Sequence, residues 1–141
     1  MDSQKESYGK KVDNLVFYIL VPSFLVSVVP MFYSSEVFWV LLFVNTLSWG
    51  FVYWAYVSTE TCIEDSLLIH NTGPISWEIE IDSIVELRAK SKSAINHGTW
   101  SLDKMDIIYL EKYKKTLSIA PLLKEELINK LVSLNPKIKI S

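Results

Sequence analysis

Two apolar runs without a charged side chain lie back to back in the first half of the chain, residues 14–35 and 37–59, with only Glu36 between them. A helix rises about 1.5 Å per residue and a bilayer's hydrocarbon core is roughly 30 Å thick, so each run is long enough to cross once. The pattern predicts a membrane protein with a two-helix transmembrane hairpin. It divides the chain into an N-terminal tail at 1–13, the hairpin at 14–58 and a second domain at 59–141.

Charge around the runs sets an orientation. Lys5, Lys10 and Lys11 precede the first run, the connection Ser34-Ser35-Glu36 carries no cation, and the other eleven of the fourteen Lys and Arg follow the second run. Under the positive-inside rule, both termini lie in the cytoplasm and the turn lies outside, at the cell membrane. The first run is too long for a signal-peptide core and ends without an A-x-A-like site, so it is read as retained. Tyr33, Phe38 and Trp39 near the turn, and Tyr53, Trp54 and Tyr56 at the far end, suit the two headgroup layers. Pro22 and Pro30 interrupt the first run, and Asn45, Thr46 and Ser48 give the second a polar patch suited to hairpin packing or to a homo-oligomer contact through Asn45. Neither run contains an ionisable carrier for proton or ion translocation.

The remaining residues change to short alternating segments. Residues 61–63 and 66–70 read as strands around Glu64-Asp65, and Asn71-Thr72-Gly73 as a turn. Apolar and polar residues alternate through 75–81, the signature of a half-buried strand. A corner at Asp82-Ser83-Ile84 leads to a strand at 85–89, with Val85, Leu87 and Ala89 on one side. After the polar stretch 90–98, residues 104–110 and 116–120 form a hairpin. Pro121 suits the first position of a helix whose apolar stripe comprises Leu122, Leu123, Leu127, Ile128, Leu131, Val132 and Leu134, stopped by Asn135-Pro136. Strands followed by one amphipathic helix predict an α+β or nearly all-β domain, a bent antiparallel sheet capped by the C-terminal helix.

This half resembles the bacterial PH domains of the YyaB-like kind, which also occur in SunI-like immunity proteins. The resemblance is carried by Asp65-Ser66-Leu67-Leu68-Ile69 with Gly73, Ile79-Glu80-Ile81-Asp82-Ser83-Ile84, Trp100-Ser101-Leu102-Asp103-Lys104-Met105 and Leu117-Ser118-Ile119-Ala120-Pro121. It implies a PH-like fold beside a membrane and a binding module. Where the family commonly places basic residues, this chain has Ile75-Ser76-Trp77 and Leu122-Leu123.

Composition excludes several functions. Fourteen basic against sixteen acidic residues leave the chain near neutral, without the footprint of a nucleic-acid binder. The single cysteine, Cys62, permits no internal disulfide and reads as a small buried apolar residue. Glu78, Glu80 and Asp82 share one strand face and read as its solvated side rather than as metal ligands. His70 and His97 read as surface residues. Ser101, Asp103 and His97 form no positioned nucleophile motif, and no phosphate-binding or dinucleotide glycine pattern occurs. No catalytic, metal or cofactor site is expected.

The candidate contacts for anionic headgroups or a partner are Arg88, Lys90, Lys92, Trp100, Lys112, Lys114 and Lys115, each cation worth about 1 kcal/mol near a charged surface. The functional expectation is a membrane-anchored binding or adaptor module, recognising a membrane protein or peptide through an exposed strand edge or the loop 90–100. The alternative is an immunity protein giving self-protection against a membrane-targeting bacteriocin.

Overall fold

The computed structural model describes residues 5–33, 37–91 and 99–141. It contains two helices that pack against each other and a two-sheet domain closed by a third helix. Helix α1 spans Asn14–Val28, runs through Pro22, and tightens into a 3-10 turn at Val29–Phe32 with Pro30 near its start. Helix α2 spans Phe38–Ser58 without a buried residue. Among the described residues, α2 alone is long and apolar enough to cross a membrane as one helix, and α1 is shorter. The connection at 34–36 lies outside the described residues.

The two helices run antiparallel. Phe17 meets Tyr56 edge to face, Phe24 meets Trp49 at 5.3 Å between ring centroids, and Asn45 reaches Ser27. The Asn45 amide donates to the Ser27 carbonyl at 2.9 Å and to its hydroxyl at 3.1 Å, while Trp49 Nε1 donates to that hydroxyl at 3.2 Å. Both amide hydrogens of Asn45 are thus engaged within the chain.

The domain has two four-stranded sheets. The first is ordered β1 (Glu6–Ser7), β2 (Glu60–Glu64), β3 (Leu67–Thr72) and β4 (Ile75–Glu80), all antiparallel. The second is ordered β7 (Lys114–Ile119), β6 (Met105–Leu110), β5 (Ile84–Arg88) and β8 (Lys139–Ile140), with β8 parallel to β5. Tight turns join the strands: Asp65 takes positive φ between β2 and β3, and Gly73 takes it between β3 and β4, conformations open to Asp and Gly. A 3-10 corner at Ile81–Ser83 carries the chain from one sheet to the other.

Helix α3 (Lys124–Leu134) closes the sheets. Its Leu127 and Leu131 are fully buried among Ile63, Leu68, Leu87 and Ile107. The helix begins later than the apolar stripe predicts. Pro121 lies ahead of it, while Leu122 and Leu123 are exposed because their amides both turn to the Tyr8 carbonyl. Leu134 is exposed as well. The closing C-terminal helix is as expected, but in place of one bent antiparallel sheet the described strands form two sheets, and β8 joins the second in parallel.

The segment ahead of α1 is part of the domain. Glu6 pairs with Ile63 and Ser7 with Cys62, so the first strand precedes the helical hairpin and its partner follows it. Lys11 N–H donates to the Ala120 carbonyl at 2.8 Å, and Asp13 N–H to the Trp100 carbonyl at 2.9 Å. The hairpin is therefore an insertion between two adjacent strands of one sheet. Both of its ends leave the domain side by side.

Candidate functional site

The junction between hairpin and domain is built around Trp100. Its ring meets Tyr56, in the last turn of α2, edge on at 5.3 Å, and its Nε1 donates to Thr59 Oγ1 at 3.0 Å. Thr59 in turn donates to the Ala55 carbonyl at 2.6 Å, capping one of the orphan carbonyls of the helix end. Lys10 places its ammonium over the Tyr56 ring at 3.8 Å and donates to the Tyr56 carbonyl. That position favours a cation twice, through the ring face and through the negative end of the helix. Burial pushes the Lys10 ammonium below its ordinary value.

Two turns of the domain are pinned to this junction. Gly73 N–H donates to Ser58 Oγ at 2.9 Å, and a Cβ on Gly73 would lie 3.5 Å from Ala55. On the other side, the Asp13 carboxylate accepts from Leu102 N–H at 2.7 Å. Asp103 then bridges Lys11 at 2.6 Å and Lys124 at 2.9 Å. Its hydrogen bonds to these two lysines hold the Asp103 carboxyl at about 2.

A polar chain runs inward from the junction. Thr59 Oγ1 lies 3.4 Å from Thr72 Oγ1, Thr72 lies 3.5 Å from His70 Nε2, and His70 Nδ1 lies 2.9 Å from Thr61 Oγ1. His70 is 2 % exposed, with Trp77 tilted over it, which corrects its reading as a surface residue. It follows Leu68 by two on β3 and shares its inward face. Cys62 is buried, and burial pushes its thiol up, as suits a small apolar residue.

The sequence-selected cations fall into two groups that the fold keeps apart. Arg88 pairs across the ladder with Asp106, and Ser91, one residue beyond Lys90, donates its amide to the Lys104 carbonyl at 2.9 Å. Arg88 and Lys90 therefore lie toward the junction. Lys112, Lys114 and Lys115 lie at the β6–β7 turn, about 17 Å further along β6 at 3.4 Å per residue. Arg88 is tied to Glu86 at 2.8 Å, Lys115 to Glu111, and Lys112 lies 6.0 Å from the Tyr113 ring centroid. Trp100 is half-buried against Tyr56 rather than standing with either group. Lys92 and His97 lie outside the described residues.

A second feature is the outer edge of β4. Ile81 N–H donates to the Ser66 carbonyl at 2.9 Å, which sets the phase of the β3–β4 ladder. Trp77 and Ile79 then direct their backbone groups to β3, and Ser76, Glu78 and Glu80 direct theirs outward. Ser83 Oγ caps the Glu80 carbonyl at 2.7 Å. Among the described residues, no strand pairs with this side. A cleft of about 530 Å³ opens beside it, lined by Ser76, Trp77, Glu78, Glu80, Tyr109 and Lys115 among others. Among the described residues, no three His, Cys, Asp or Glu side chains converge as a metal site.

Sequence reasoning missed the junction because its contacts join segments far apart in the chain. The one signal present was the density of aromatics at both ends of that future contact, Tyr56 and Trp100.

Comparison with known proteins gives one family match. A family model described as a bacterial PH domain matches residues 61–135, just over half of the chain. No curated protein and no solved structure matches. The matched segment runs from β2 to the end of α3, the part of the molecule whose two sheets and closing helix form the core. The chain belongs to the bacterial PH domain family.

Proposed function

We propose that the chain is a membrane-anchored binding module, in which a two-span hairpin holds a YyaB-like PH domain against the cytoplasmic face of the bacterial cell membrane. The observation that carries this reading is the pairing of β1 with β2 across the hairpin, which requires both hairpin ends to emerge on one side. Helix α1 of fifteen residues at 1.5 Å, followed by a four-residue 3-10 turn at 2.0 Å, spans about 30 Å, and α2 spans about the same. Two such spans fit one bilayer core. The module acts through binding rather than catalysis, and anchoring raises its effective concentration for membrane-proximal partners.

Topology tests this directly. A cytoplasm-active fluorescent reporter should function at either terminus, and alkaline phosphatase placed after residue 35 should be active. Phosphatase activity at either terminus would overturn the reading.

The open β4 edge favours a peptide as partner, because an added strand gains main-chain hydrogen bonds from Ser76 and Glu78. Glu78 and Glu80 beside the cleft, with Glu111 already paired to Lys115, favour a basic one. Self-protection against a membrane-targeting peptide is the second reading on that ground. Expression in a sensitive strain should raise the tolerated concentration of such a peptide, and Glu78→Pro should remove the effect by deleting an outward N–H. Equal protection by this variant would exclude the edge.

A further inference from the structure

We infer that the turn around Leu102, together with Ile75 across the junction, is a bilayer-contact surface, so that the domain lies against the headgroup layer instead of hanging below it on the helices. The inference rests on the anchor reading and adds a contact that anchoring alone does not require.

Three observations carry it. Leu102 is 73 % exposed and Ile75 is 53 % exposed, although both sit on backbone fixed by the fold. The Leu102 amide is held by Asp13, the residue before α1, and Ile75 begins the strand after Gly73, which is held by Ser58 at the end of α2. Both side chains thus flank the points where the chain enters and leaves the hairpin.

Depth agrees. The 21 residues of α2 span about 32 Å at 1.5 Å per residue, close to the thickness of the hydrocarbon core, so the helix end at Ser58 and the junction beside it lie where the headgroup layer begins. Apolar side chains there reach the acyl boundary.

Charge is also arranged for this contact. At the junction end, Lys5 matches Glu60 and Lys11 and Lys124 share Asp103, while Lys10 and Lys104 outnumber Asp13 and Lys90 adjoins them through Ser91, leaving a positive excess. The carboxylates of Glu64, Asp65, Glu80 and Asp82 lie at the opposite ends of β2, β3 and β4. An anionic leaflet attracts the first group and repels the second.

The test uses the full chain, carrying Cys62→Ala, reconstituted in vesicles of phosphatidylglycerol and phosphatidylcholine in equal parts with spin-labelled acyl chains. Single cysteines introduced by Leu102→Cys, Ile75→Cys, Tyr113→Cys and Leu47→Cys carry an environment-sensitive fluorophore. Tyr113 is 71 % exposed at the far β6–β7 turn, and Leu47 is exposed on α2. Quenching at 102 and 75 should exceed that at 113 several-fold, with 47 quenched most. Quenching at 47 with 102 and 75 no higher than 113 would overturn the contact and leave the anchor standing. Absence of quenching at 47 would overturn both.

Discussion

Replacing Trp100 by alanine should loosen the whole domain from the hairpin, and the size of the effect can be worked from its two contacts. The edge-to-face pair with Tyr56 at 5.3 Å contributes about 0.5–1.5 kcal/mol beyond area burial. The Nε1 hydrogen bond to Thr59 contributes about 0.5–1.5 kcal/mol, toward the low end because Thr59 keeps its own donation to Ala55. Together these make Trp100→Ala cost about 2 kcal/mol, or roughly 8 °C or more in Tm for a domain of this size. Trp100→Phe keeps the ring and loses only the hydrogen bond, so its shift should be less than half as large. The assay is thermal unfolding of the detergent-solubilised chain followed by β-sheet circular dichroism, run as a double-mutant cycle with Tyr56→Ala. A coupling of about 1 kcal/mol is expected for residues in direct contact. Additive shifts would refute the proposed junction energetics, because they would mean that the two rings stabilise the protein independently.

Two further outcomes follow from the geometry. Asp103 titrates at about 2, below the ordinary carboxylate value, so its contribution is fully present above about pH 4 and is lost as pH falls toward 2. Acid titration of stability should therefore steepen in that window for the parent chain and flatten for Asp103→Asn; because the pair is half exposed, the difference should stay within about 1 kcal/mol. Asn45→Leu removes both amide bonds to Ser27, which should weaken helix pairing by about 0.6–2 kcal/mol, read as faster hydrogen exchange in α2 with the domain unchanged.

The strands were legible where the two faces of a sheet differ. In β4 the alternation correctly separates buried Ile79 from exposed Glu78 and Glu80. In β5 the same rule fails: Ile84 and Leu87 are buried while Val85 is exposed, because a register shift between Ile84 and Glu86 breaks the period of two. Strands β1 and β8 are two residues each and have no period to read. Their existence depends on partners elsewhere, β2 in one case and β5 in the other. The start of α3 was misplaced for a related reason, since the Tyr8 carbonyl holds Leu122 and Leu123 outside the helix and Tyr8 lies more than a hundred residues earlier.

The candidate site was legible in its parts only. Cations and aromatics could be named from the sequence, but Arg88 and Lys112 look equivalent there and lie at opposite ends of β5 and β6. His70 beside a turn looks exposed. Its burial follows from the register that sets it opposite Trp77 and next to Thr61.

The insertion of the hairpin between β1 and β2 also bears on how the domain comes together during synthesis. Glu6 and Ile63 are paired across fifty-six intervening residues, and closing a flexible loop of that length costs about 3.5 kcal/mol before its constant term. A two-residue strand has little with which to offset that cost. Once α1 and α2 have packed antiparallel, however, the ends of the loop are already neighbours and the remaining search is local. The first strand, though made first, thus gains its partner cheaply only after the helices before β2 have paired, which ties completion of its sheet to assembly of the hairpin.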